Sequence, residues 1–250
     1  MSNKVIPYSN TNLAVISNNL AKASYSLSLT EHRLVKSFLK RVDNYFDKEL
    51  DALSMLSVQD YAEDWGLLTT DARKEVKAAI ETLFNKKITL LKEDGISYID
   101  TRWLSEKGYD RETDVVMITW SQRVLSHISL LRERFTKLDL KEMKDFSSTY
   151  SFRIYELIIC SVGENSYQNP KFLVDDLMDI LDVPDSYRNY MTFKQKVLKP
   201  VIAELRNKTG KFAGIEIIEH KKQGSKKVIE IEFIRCGVGN RYKVETVKQK

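Results

Sequence analysis

Apolar positions along the first half of this chain recur mostly with helical spacing. The run SLTEHRLVKSFLKRV from Ser28 puts Leu34, Val35, Phe38, Leu39 and Val42 on one face, which predicts a helix with Thr30 as N-cap before Glu31. SVQDYAEDWGL predicts a shorter helix stopped near Gly66. In TTDARKEVKAAIETLFNKK, Ala72, Val76, Ala79, Ile80 and Leu83 line one side, leaving Arg73, Lys74, Lys77 and Ala78 outward. A hairpin follows in ITLLKEDGISYIDTRW, where the Asp94-Gly95 pair is a strong type I′ turn signal. After a polar loop, DVVMITW reads as a third strand that completes a small meander. Before all of this, residues 1–12 are polar, and Leu13 to Ala23 offers a short helical or adapter segment.

The second half repeats the order. SQRVLSHISLLRERF predicts a helix, and TKLDLKEMKDFSS a connector with a short helical turn. TYSFRIYELIICSV is a helix whose Phe152, Ile154, Tyr155, Leu157, Ile158 and Ile159 point to deep burial, and FLVDDLMDILDV is a shorter one ended by Pro184. Within MTFKQKVLKPVIAELRNKTG, Val197, Leu198, Val201, Ile202 and Leu205 share an arc opposite Gln195, Lys196, Lys199, Ala203 and Arg206. Pro200 inside that stretch requires a late start or a bend, because proline lacks an N–H and its ring crowds the preceding turn. Two β-rich runs come next, Ile215 to Glu219 and Val228 to Ile234, joined by the tip KKQGSKK.

Short helix, longer helix and hairpin thus occur twice after an opening helix, without obvious sequence identity between the copies. The expectation is an α+β chain, predominantly helical, built of two winged-helix domains in tandem with a pseudo-two-fold relation. The divisions expected are an N-terminal segment (1–27), a first domain (28–120), a connecting helix and linker (121–147), a second domain as main DNA reader (148–235), and a basic flexible tail (236–250).

Charge sharpens this picture. The net charge is only +5, yet residues 191–250 hold 12 Lys and 3 Arg against 6 Glu. That last quarter carries +9 and residues 1–190 carry −4, an asymmetry that points to a polyanion. Candidate groove contacts are Lys194, Lys196, Lys199, Arg206 and Lys208. Lys221, Lys222, Lys226 and Lys227 at the hairpin tip are candidates for the sugar-phosphate backbone. Arg73, Lys74 and Lys77 are a weaker set, diluted by Glu75 and Glu81. The competing readings are a solvated helix face, a solubilising loop and surface pairs such as Lys77 with Glu81.

Catalytic and metal signals are sparse. Cys160 and Cys236 have no metal spacing and read as reduced core thiols, while His32, His127 and His220 form no HxH or HExxH pair. Asp175, Asp176, Asp179 and Asp182 read as a solvated or partner-facing acidic surface rather than a metal site. There is no GxxxxGK[ST] and no GxSxG, and Tyr187 and Tyr190 lack an activating metal or base, so packing or backbone contact with DNA is expected of them. The chain is expected to be no enzyme and to need no cofactor or metal. No apolar run approaches the roughly 18 residues of a membrane span, and the start lacks a signal-peptide core, so a cytoplasmic location is expected.

Four stretches taken together resemble the iteron-binding replication initiators of theta-replicating plasmids: TFKQKVLKPVIAELRNKTG, the IEFI strand after a basic wing, SSTYSFRIYELI, and NNLAKASYSLSLTEHRLVKSFL. The resemblance covers about residues 13–235. It implies tandem winged-helix domains that bind direct repeats at a plasmid origin. It further implies that monomers open an adjacent AT-rich region and recruit a host initiator and replicative helicase, while dimers repress the protein's own gene. On matching positions it implies Lys194, Lys196, Lys199 and Arg206 as recognition-helix residues and 221–227 as the wing. A winged-helix transcriptional repressor and a rolling-circle nicking initiator are the alternatives.

Overall fold

A computed structural model describes residues 13–42, 52–91, 97–128, 135–162, 169–206, 212 and 214–234. Its first half runs β1 (Leu13–Ser17), α1 (Asn18–Lys22), α2 (Leu29–Arg41), β2 (Leu53–Ser57), α3 (Val58–Trp65), α4 (Thr69–Leu83), β3 (Lys87–Leu91), β4 (Tyr98–Arg102), β5 (Leu104–Asp110) and β6 (Val115–Trp120). Ser28, not Thr30, caps α2. Its hydroxyl accepts from the Glu31 N–H and its own N–H donates to the Glu31 carboxylate at 2.6 Å, a reciprocal capping box that satisfies two orphan donors. Gly66 ends α3 as expected, at φ 63°, a conformation that costs any residue with a Cβ.

The strands differ from the expected meander. β3 pairs with β4 and, through Thr89, makes an isolated antiparallel bridge to Ser24, whereas β6 lies between β2 and β5 in a separate antiparallel sheet. Residues 104–110, read as a polar loop, are an edge strand: only Leu104 is buried, and the ladder to β6 rather than an apolar alternation holds it. The Asp94-Gly95 turn lies outside the described residues.

The second half runs α5 (Gln122–Leu125), β7 (Phe135–Asp139), α6 (Leu140–Met143), α7 (Thr149–Val162), β8 (Lys171–Leu173), α8 (Val174–Ile180), α9 (Tyr190–Phe193), a π-helical turn (Lys194–Leu198), α10 (Lys199–Arg206), β9 (Glu216–Lys221) and β10 (Val228–Ile234). The helix expected from Ser121 keeps its first turn as α5, residues 129–134 lie outside the described set, and Phe135 opens a strand that takes the start of the expected connector, whose short helical turn is α6. That strand explains the other departure. Leu13–Ser17 pairs antiparallel with Phe135–Asp139, so the first part of the segment expected to be helical becomes β1, with Ala14 and Ile16 fully buried, while Asn18–Lys22 is helical as expected. α8 ends before Pro184 in a Schellman motif: Val183 N–H donates to Met178 O and Asp182 N–H to Asp179 O, with Asp182 at φ 48°. Asp182 thus closes the first helix of the second helix-turn-helix as Gly66 closes that of the first.

One apolar core runs through both halves, and α7 is its axis, packing on α1, α2, β7 and α10. Sunk in it is an ionic cluster. Glu156, fully buried, pairs with Lys36 of α2 and with Arg153 at 2.8 Å; Arg153 also donates to Tyr25 Oη at 2.5 Å and to Ala23 O at 2.6 Å. Burial pushes the Glu156 carboxyl up, but Lys36, Arg153 and His32 outweigh it and hold the pKa at about 2.

His32 stacks on Phe152 at 5.4 Å between centroids, and burial, aided by Lys36 and Arg153 against Glu156, lowers its pKa to about 3. The folded state therefore keeps His32 neutral while the unfolded chain protonates it near 6.5. Stability is fully present above that pH and falls as acid is added, with a slope of at most about 1.4 kcal/mol per pH unit from this group. Urea unfolding between pH 7 and 5 is expected to show a slope smaller by about one proton in His32→Gln. Equal slopes would refute this assignment.

Candidate nucleic-acid interface

Residues 190–206 form one helix with a wide turn in its middle. The Asn189 side chain caps its start by accepting from Met191 N–H at 3.0 Å. Lys199 N–H donates to Lys194 O, an i to i+5 bond, and Pro200 follows immediately. Pro200 supplies no N–H, and its ring would collide with the carbonyl one tight turn back; widening the preceding turn relieves both problems. The helix thus passes through the proline without starting late. Phe193, Val197, Leu198, Val201 and Leu205 are each 0% exposed, which seats the helix firmly, at about 1.5–3 kcal/mol per side chain. Glu204 adds a polar anchor, accepting from the Ser147 N–H at 3.1 Å and from its hydroxyl at the foot of α7.

The outward side chains divide into two kinds. Gln195, Lys196 and Lys199 are exposed, and the two ammonium groups have no ion pair among the described residues. Lys194 and Arg206 turn toward the hairpin instead. Lys194 pairs with Glu219 of β9 at 2.5 Å, and Arg206 donates to Ile215 O at 2.7 Å and reaches Glu216 at 3.3 Å. Burial pushes the Glu219 carboxyl up, yet Lys194, Tyr190 and Lys221 together hold it below the usual range. Tyr190, with its phenol pKa raised by burial and by Glu219, packs into this same joint. Lys208 lies outside the described residues.

The hairpin of β9 and β10 is the wing, with β8 on its other edge. Lys222 N–H donates to Lys227 O at 2.9 Å, and Gly224 takes φ 72° to close the tip. Residues 221–227 are all exposed, so Lys221, Lys222, Lys226 and Lys227 ring the tip.

In the first domain α4 is similarly joined to its hairpin. Arg73 forks onto Asp114 at 2.6–3.1 Å, Lys77 lies 4.4 Å from the Tyr109 ring, and Lys107 pairs with Glu81. Glu81 therefore pairs across to β5 rather than with Lys77. Lys74 is 82% exposed, with Asp71 3.8 Å away. Asp179 and Asp185 are held by Arg188, at 2.6 and 3.6 Å, and no metal-ligating group occurs among the described residues. Cys160 is buried, Cys236 lies outside the described set, and no described helix is long and apolar enough to cross a membrane.

Sequence reasoning missed the acceptors Glu204, Glu216 and Glu219, which lie far along the chain from their donors or on another element. It also passed over Met191, which is 60% exposed in the first turn of the helix.

Residues 13–159 match the family model for Initiator Replication protein, WH1, and residues 173–235 that for Initiator Rep protein, WH2. A replication initiation protein of Escherichia coli is 21% identical over 194 residues, which span 75% of this chain and 60% of that protein. The Pi initiator protein, solved in complex with iteron DNA, superposes with a TM-score of 0.73 at 20% identity, covering 93% of this chain and 100% of its own. At that identity the likeness establishes the fold. With both models matched in order over most of its length, the chain belongs to the initiator replication protein family, a WH1 domain followed by a WH2 domain.

Proposed function

We propose that this chain is a plasmid replication initiator that binds direct repeats, iterons, at its origin. The main reader is the second domain, taken as 148–235, joined through 121–147 to the first, 28–120. The observation that carries this is a row of cations with no ion pair among the described residues, Lys196 and Lys199 on a helix whose back is packed, beside a wing ringed by four lysines. A helix in the major groove with a basic wing on the adjacent backbone gives specificity from the first and salt-dependent affinity from the second. The Pi initiator, which shares the fold, was solved on iteron DNA.

In the first domain Arg73 and Lys77 are engaged with Asp114 and Tyr109, and Lys74, near Asp71, is largely exposed. That domain holds neighbouring backbone or a second copy of the chain. Opening of an AT-rich region, recruitment of a host initiator and replicative helicase, and repression of its own gene as a dimer complete the role. Binding, not bond cleavage, is its action, without a cofactor, in the bacterial cytoplasm.

The DNA flanking its gene is expected to hold direct repeats of about two helical turns beside an AT-rich stretch. The full chain should bind a repeat duplex roughly a thousand-fold or more tighter than a shuffled one at equal salt. Equal affinity for the two duplexes would sink the reading.

A further inference from the structure

The outward face of residues 190–206 begins with an apolar side chain. Met191 is 60% exposed, although Met143 and Met178 are buried in the core. It is fixed in the first turn by the Asn189 cap. An ideal α-helix would leave about 80° between Met191 and Lys199. The π turn takes in about one extra residue and closes that gap, so Met191, Gln195 and Lys199 fall close to one line, and all three are exposed.

We infer that Met191 reads thymine, by packing its thioether on the C5-methyl group in the major groove. This rests on the origin-binding reading of the same helix. Base edges in the major groove present donors and acceptors, and the thymine methyl is the one apolar feature among them. Residues in the first turn of a recognition helix are those that reach base edges. Lys199 on the same line and Lys196 beside it draw this face to phosphate, so the surface that covers Met191 is a duplex rather than an apolar protein. Methionine, unbranched and polarisable, adapts to a methyl group whose position varies with local DNA shape.

The test replaces every thymine of the repeat duplex by deoxyuridine, removing only methyl groups. For the parent chain, binding is expected to weaken roughly four-fold for each methyl contacted. Met191→Ala is expected to bind the thymine duplex more weakly than the parent by a similar factor and to be indifferent to the exchange, with an unchanged salt slope. Met191→Leu, which keeps apolar surface, is expected to retain part of the thymine preference. Parent protein that binds thymine and deoxyuridine repeats equally, while still preferring repeats to shuffled DNA, overturns the inference alone. So does a deoxyuridine penalty that is the same in Met191→Ala as in the parent. Loss of preference for the repeat over shuffled DNA would instead count against origin binding itself.

Discussion

Glu156→Ala is expected to lower the unfolding free energy by about 3–5 kcal/mol, the cost of leaving buried charge without its partner. Among the described residues, Glu156 is the single carboxylate paired with both Lys36, 2% exposed on its side chain, and Arg153, 3% exposed. Removing it strands two cations in the core and frees the Tyr25 hydroxyl, which donates to Glu156 at 3.2 Å. The cluster ties the segment before α2, α2 itself and α7 together, so its loss should loosen the axis on which α10 rests. Urea unfolding of the full chain measures the effect. Replacing Lys36, Arg153 and Glu156 together by Met, Leu and Leu is expected to cost much less, because apolar groups of similar volume leave no charge unpaired. A loss below about 1 kcal/mol in Glu156→Ala would contradict the account.

On DNA, Lys196→Ala and Lys199→Ala are each expected to lose about 1–3 kcal/mol of repeat binding where the ammonium reads a base. Where it meets a phosphate, the slope of log K against log salt should fall by about 0.9. Lys194→Ala and Arg206→Ala are expected to behave differently. Their charges are already neutralised by Glu219 and Glu216, so they release few counterions, and their loss should weaken binding with the salt slope unchanged. The mechanism is positional: both side chains brace the wing against the recognition helix, at opposite ends. Exchange of the Lys194 and Glu219 charges should recover binding that either single reversal destroys. A salt slope that falls in Arg206→Ala as it does in Lys199→Ala would show a direct contact instead.

Periodicity made the helices and the seam of Val197, Val201 and Leu205 legible, because those features repeat locally. It could not show the braces. Lys194 and Glu219, or Arg206 and Ile215 O, meet only once the hairpin folds back, and a lysine that grips a carboxylate has the same letter as one that faces a groove. Strand edges were obscured for a related reason. Leu104–Asp110 shows one buried residue and no alternation, so nothing in its composition distinguishes it from a loop until β6 supplies hydrogen bonds. β1 failed in the opposite sense: Leu13–Ser17 is apolar enough for either periodicity, and its partner lies at Phe135–Asp139. At the start of α2 the cap was legible in the sequence, because Ser28 and Glu31 stand at the capping-box spacing and Thr30 does not.

The wide turn ahead of Pro200 also bears on how the proposed DNA-reading face could change its target. Which side chains share the proposed DNA-reading line is governed by a backbone irregularity between Met191 and Lys199. Substitutions that tighten or relax that turn would swing Met191 and Gln195 about the axis while leaving Lys199 in place. On the proposed reading, new repeat preferences are therefore accessible from within the scaffold, and a change of target need not begin at the exposed positions themselves.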